Sequence, residues 1–150
     1  MRIILFLSFI LVSIASCKQI DIYEKLVDLP QHEWKRNQHV VIPFKIADSS
    51  QHQLFFVVRH TQRYPFNRLI VKLFIEDSAR KIVKAMQVNA PLTDSAHNWS
   101  GIAMDDLYYS RIRINPPVSL NPGTYRFVLE HAMKEETLPE VLNIGLALDK

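Results

Sequence analysis

A chain of 150 residues carrying 18 Lys and Arg against 15 Asp and Glu suits one compact domain, and its near-balanced charge without any long like-charge run excludes a nucleic-acid surface. Its three glycines, Gly101, Gly123 and Gly145, are scattered, which excludes the glycine-clustered phosphate loops and the nucleophile elbow. One cysteine, Cys17, rules out an intrachain disulfide, so stability must come from packing.

The chain opens as a secretory signal. Arg2 supplies a short positive region, Ile3 to Ile14 an apolar run broken only by Ser8 and Ser13, and Ile14-Ala15-Ser16-Cys17 closes it with small residues. The run is about 12 residues, short of the roughly 17 to 25 that span a bilayer. Its end resembles the bacterial lipobox, whose cysteine is joined to diacylglycerol by a thioether and becomes the first residue of the mature chain. Residues 1–16 therefore read as a cleaved lipoprotein signal and Cys17 as the lipidation site. Each buried methylene contributes about 0.8 kcal/mol and two or more acyl chains hold firmly. The lipid bilayer is the first expected partner, with the mature chain anchored to a cell membrane and exposed to the periplasm. The covalent lipid is the only prosthetic group foreseen, with no cofactor besides.

Residues 17–34 read as a lipidated lead-in, and residues 35–150 as the single folded domain. Ile20, Ile22 and Tyr23 can form a short strand, Pro30 ends any regular element near it, and Trp34 is the first anchor, covering the end of the core. From Val40 the period is two: Val40, Ile42, Phe44 and Ile46 alternate with Val41, Pro43, Lys45 and Ala47. Pro43 cannot donate to a ladder, which puts this strand on an edge or gives it a bulge. Leu54 to Val58 is apolar without a break, the pattern of a central strand covered on both faces. Leu69 to Glu76 alternates again, and Asp77-Ser78-Ala79 turns it into a hairpin with Lys81 to Val88. Asn89 to Asn98 reads as loop, and Trp99 to Leu107 gives no clear period.

Tyr108 to Ile114 recovers a strand with Ile112 and Ile114 inward and Tyr109, Arg111 and Arg113 outward. Pro116-Pro117 and Asn121-Pro122-Gly123 punctuate the next connection. Tyr125, Phe127, Leu129 and His131 mark another strand, Ala132 to Val141 offers the one helical turn, and Leu142, Ile144, Leu146 and Leu148 close the chain. About seven or eight short strands with turns between them predict an all-β antiparallel sandwich, jelly-roll or Ig-like; a closed barrel fits the same count.

No catalytic or metal set can be assembled. The six histidines show no i, i+4 pair, and Asp105-Asp106 read as a solvated turn rather than half of an acid pair, since neighbours on a strand would point to opposite faces and no second carboxylate suggests itself. The chain reads as a non-enzyme. Its most promising binding stretch is Arg59 to Arg68, where Arg59, Arg63 and Arg68 interleave with Tyr64 and Phe66, a combination suited to meeting another protein. An equal alternative has Tyr64 and Phe66 plugging the core while the arginines are merely solvated. Tyr108 and Tyr109 with Arg111 and Arg113 form a second candidate. A flat platform of Trp99, Tyr108 or Tyr109 would instead favour a glycan partner.

The lipobox, the lead-in to Trp34, Tyr64-Pro65-Phe66, Trp99-Ser100-Gly101, Pro122-Gly123-Thr124-Tyr125, His131-Ala132-Met133 and Leu142-Asn143-Ile144-Gly145-Leu146 together resemble the GldH family of gliding-motility lipoproteins. The resemblance runs through nearly all of the mature chain and rests on the series of motifs, none of which is diagnostic alone. It implies a membrane-anchored, non-catalytic accessory or assembly subunit of the bacterial gliding machinery and its associated secretion system, with other envelope proteins as partners. Only the acylated cysteine carries over, onto Cys17. The alternative is an envelope lipoprotein whose sandwich binds glycan.

Overall fold

The computed structural model describes residues 23–149, so the signal and Cys17 lie outside the described residues. Eleven strands follow in order: β1 (Tyr23–Asp28), β2 (Glu33–Lys35), β3 (Val40–Ile46), β4 (Gln51–Thr61), β5 (Arg68–Glu76), β6 (Ile82–Pro91), β7 (Ile102–Met104), β8 (Leu107–Ser119), β9 (Gly123–His131), β10 (Thr137–Pro139) and β11 (Val141–Asp149). One sheet has the order β1-β11-β4-β8-β7, the second β3-β9-β5-β6, and β10 pairs with β2 as a short ribbon. All pairs are antiparallel.

The pairing is nested: β1 with β11, β3 with β9, β4 with β8, β5 with β6. A hairpin rolled up on itself gives this order, which makes the sandwich a jelly roll and not the Ig-like alternative or a closed barrel. Inward residues of alternating strands build the core between the sheets, with Trp34, Phe44, Phe56 and Phe127 the largest fully buried side chains. Fully burying such a side chain contributes about 1.5 to 3 kcal/mol.

The expected alternations hold for β3, β5 and β9. Pro43 sits on an edge strand, since β3 has a neighbour only at β9, and β4 is the centre of the five-stranded sheet. The two-sided covering of β4 comes from within its own sheet. Val57 is fully buried on the outer face because its register neighbours are Gly145, overlain by Leu26, and Arg111.

Five segments differ from their sequence reading. The stretch taken as lead-in joins the sandwich from Tyr23 on: β1 pairs along the length of β11, and Leu29 and Trp34 are core. Ala132 to Val141 is not helical. Leu138 is fully buried opposite Trp34 in the β2–β10 ribbon, and the Arg36 guanidinium holds the preceding turn by donating to the carbonyls of Met133, Lys134 and Glu135 at 2.6–3.1 Å. Pairing and burial override a weak local helical pattern. Pro116-Pro117 lies inside β8, absorbed by a bulge where the register with β4 shifts between His52 and Leu54. Pro91 likewise ends β6, an edge strand where a missing N–H is tolerated. A bulge at the start of β11 turns Val141 into the core in place of Leu142.

Candidate functional site

The sandwich has two ends. β1 rises from Tyr23, and antiparallel pairing puts Gln51, Glu76, Ile82, Ser119 and Gly123 at the same end as Tyr23. At the opposite end lie the 62–67 and 92–101 connections, the Asp105-Asp106 turn and the β2–β10 ribbon. All seven proposed partner-binding residues belong to this far half, and the structure divides them.

Tyr64, Phe66 and Tyr108 turn inward. Tyr64 is buried, with its ring 5.5 Å from Phe66 at 75°, 5.5 Å from His60 and 6.4 Å from Trp99. Tyr108 stacks on His60 at 5.7 Å. Five rings thus close the end of the core, a plug that offset and edge-to-face contacts favour over a flat stack. Burial, aided by the negative charge of Glu135, pushes the Tyr64 hydroxyl well above its ordinary pKa and keeps it neutral. The His60 Nδ1 lies 2.9 Å from the Thr61 carbonyl, an acceptor only, so it carries the proton and Nε2 is left as a buried lone pair without a hydrogen-bond partner.

Tyr109 points the other way, as neighbours on a strand must. On the outer face of the five-stranded sheet it lies beside Arg59, whose guanidinium is 5.7 Å from its ring, and its hydroxyl donates to Glu24 on β1 at 2.7 Å. Burial and that carboxylate push its pKa up to about 12. Arg111 covers Phe55 at 3.9 Å and pairs with Asp149 at 2.7 Å.

The adjoining strand β7 completes this face. Its pairing with β8 puts Ile102 beside Tyr109 and Met104 beside Leu107, on the side that Tyr109 occupies. Ile102 is 63% and Met104 45% exposed. Above them Arg63 pairs with Glu140 at 3.1 Å, and the Glu140 carboxylate also accepts from the Thr61 hydroxyl at 2.7 Å. That hydroxyl and then Arg63 hold its pKa below the usual carboxylate range. The outcome is an apolar edge with Arg59 and Arg63 beside it, while Arg111 reaches toward Asp149 and exposed Arg113 lies opposite Phe55, farther along β8.

Arg68 stands apart, at an open polar groove of about 580 Å³ shared with Asn67, Asn89, Thr93, Asp94 and His97. Ile102 and Met104 are the residues that the sequence reading missed. The available signal was Asp105-Asp106, a two-residue turn between Met104 and Leu107 with Asp105 at φ 56°, as tight hairpins require.

Trp99, Tyr108 and Tyr109 form no common platform. Trp99 and Tyr108 are half-buried at 42° to each other against His60, while Tyr109 occupies the opposite face. Among the described residues no three His, Cys, Asp or Glu side chains come together to hold a metal ion, and no helix is long and apolar enough to cross a membrane.

His60 and His131 are both buried. His131 packs edge-on against Trp34 at 5.4 Å, with neither ring nitrogen hydrogen-bonded. Desolvation lowers both pKa values from the ordinary 6.5; for His131 the nearby Arg36 adds to it, while a backbone bond at Thr61 opposes it for His60, and contacts at Glu136 and Glu135 oppose it for His131. The unfolded chain thus takes up these protons near pH 6.5 and the folded chain only at lower pH. Stability is full above about pH 6.5 and declines as the pH falls below it, by at most about 1.4 kcal/mol per pH unit for each histidine. Thermal melts between pH 8 and pH 5 check this: His131→Leu is expected to lose part of the slope, and an unchanged slope would remove His131 as a source.

The family described as GldH lipoprotein matches residues 21–148. No curated protein matches the chain. Among solved structures, the uncharacterized protein lmo2446 from Listeria monocytogenes is 13% identical over 88% of this chain and 11% of its own, with a TM-score of 0.42. The same protein with alpha- and beta-D-glucose, magnesium and calcium bound aligns over 73% of this chain and 8% of its own, at 16% identity and a TM-score of 0.40. The VP2 subviral particle of infectious bursal disease virus is 11% identical over 87% of this chain and 33% of its own, at 0.44. Dimeric latent PorU from Porphyromonas gingivalis is 11% identical over 87% of this chain and 13% of its own, at 0.37. The chain thus spans a third or less of each of these proteins. The family match runs from before β1 to within one residue of the end of β11, nearly the whole of the jelly roll, and the chain belongs to the GldH family of gliding-motility lipoproteins.

Proposed function

We propose that this protein is a membrane-tethered, non-catalytic subunit that binds another envelope protein of the gliding machinery through the outer face around β7. The observation that carries the reading is the exposed pair Ile102 and Met104 beside Tyr109, Arg59 and Arg63, because apolar side chains rimmed by arginine are a protein-interface composition. Family membership supports the tether, with Cys17 as the acylated residue. Tyr23 stands six positions after Cys17, about 20 Å of fully extended chain. Strand β4 spans Gln51–Thr61, roughly 33 Å at 3.3 Å per residue. The tether therefore leaves one end near the bilayer and carries the β7 face away from it, within reach of a neighbouring protein.

Crosslinking in intact cells tests this. Ile102→Asp with Met104→Asp is expected to melt within about 0.5 kcal/mol of wild type, since both side chains are exposed, and to lose adducts that wild type forms. Cys17→Ala should lose the same adducts. Adducts that persist in the double variant would place the interface elsewhere.

A further inference from the structure

Resting on the tether reading above, we propose that the end of the sandwich carrying Tyr23 is a membrane-contact face, in which the tip of the β5–β6 hairpin, Arg80 to Val83, lies against an anionic bilayer surface.

Five large apolar side chains are exposed among the described residues. Ile102 and Met104 belong to the far half. The other three share the tether end: Tyr23 at 44%, Ile82 at 52% and Val83 at 47% exposure. The register ties them together. Tyr23 meets Phe44 edge-on at 4.9 Å, the adjacent Pro43 pairs with Arg126, and Arg126 pairs with Glu76, the last residue of β5. Ile82 opens β6 opposite Glu76, where the register shifts. Val83 is the residue this bulge leaves unpaired, so strict alternation breaks here and Ile82 and Val83 are both exposed at the tip.

The charges here favour an anionic surface. The Asp77 carboxylate turns inward, accepting from the backbone N–H groups of Ala79 and Lys81 at 2.9 and 3.0 Å. Glu76 is held by Arg126 at 3.1 Å and Asp149 by Arg111 at 2.7 Å. Arg80, Lys81 and Lys45 are exposed, and Lys25 lies over the Tyr23 ring at 5.1 Å. The exposed carboxylates of this end are Asp48, which accepts from the Ser50 hydroxyl, and Glu24, which accepts from Tyr109. The exposed cations Lys45, Arg80 and Lys81 outnumber them, and basic residues beside apolar ones are what holds a protein surface to anionic headgroups. A bilayer is the occupant because the extended chain from Tyr23 back to Cys17 cannot exceed about 20 Å, which keeps this end facing the lipid.

Full-length acylated protein in vesicles of phosphatidylethanolamine with a minority of phosphatidylglycerol tests the proposal. Acylation occupies the Cys17 thiol, so Val83→Cys supplies a unique site for a fluorophore, and Met104→Cys a matched one at the far end. Bromine-substituted acyl chains are expected to quench the residue 83 label about twofold and leave the residue 104 label unchanged, as interfacial burial at one end requires. Protein that is vesicle-bound but shows no quenching at residue 83, or equal quenching at both positions, overturns the contact face while the tether stands. Protein that does not bind the vesicles removes the tether and the contact face with it.

Discussion

Gly145→Ala is expected to destabilise the domain by about 3 kcal/mol or more and to free β1 from the sheet. A Cβ built at Gly145 would stand 2.1 Å from the Lys25 carbonyl oxygen, 2.7 Å from Leu26 Cδ2 and 3.0 Å from Leu26 Cα. Two of those atoms are backbone, so no side-chain rotation relieves the overlap and β1 itself must shift. With it go the cover of Leu26 over Val57, the Tyr23 contact with Phe44, and the Glu24 carboxylate that holds the Tyr109 hydroxyl. Denaturant unfolding gives the energy, and amide exchange gives its location: protection should fall first along Tyr23–Asp28. A midpoint within about 0.5 kcal/mol of wild type would mean that β1 does not lie across Gly145. The same strand joins the tether to the body, so the variant should also loosen the geometry on which the membrane-facing end depends.

The jelly roll was legible in proportion to strand length. β3, β5 and β9 are long enough for a period of two to show, and Pro43 marked an edge or a bulge, the places where a missing N–H is tolerable, of which the structure shows the edge. The apolar run Leu54–Val58 marked the centre, although periodicity could not say that an arginine and a leucine from the same sheet would cover its outer side. Strands β2, β7 and β10 have three residues each, too few to carry a period, and their existence is decided by partners far away in sequence. Leu138 opposite Trp34 is the clearest case: nothing local to Ala132–Val141 announces a strand, and the burial of both residues makes one.

The site was legible by composition and not by direction. Arg59 to Arg68 and Tyr108-Tyr109 do lie at the far half of the sandwich, but sequence cannot tell a ring that plugs a core from one that faces a partner. Alternation separates Tyr108 from Tyr109 once β8 is placed, and that separation splits the arginine-rich stretch into an inner plug and an outer rim. Ile102 and Met104 escaped notice because a three-residue strand after Gly101 looks like loop.

Tyr64 decides between plug and contact. Tyr64→Ala is expected to lose about 3 to 5 kcal/mol, the range for emptying a buried aromatic site, because the ring is buried between His60, Phe66 and Trp99. Tyr64→Phe keeps those contacts and gives up only a hydroxyl bond to the Arg68 carbonyl at 3.4 Å, too long to contribute much, so it should stay within about 1 kcal/mol of wild type. Arg63→Ala, which breaks an exposed pair with Glu140, should likewise change stability by less than about 1 kcal/mol. Thermal and denaturant unfolding of the three variants gives the stability order, and the in-cell crosslinks give the other half. If Tyr64 acts only by closing the core, Tyr64→Phe retains the wild-type adducts while Arg63→Ala weakens them without unfolding anything. A Tyr64→Ala protein as stable as wild type would show instead that the ring is dispensable to the core, and the contact role would pass from the outer rim to the ring itself.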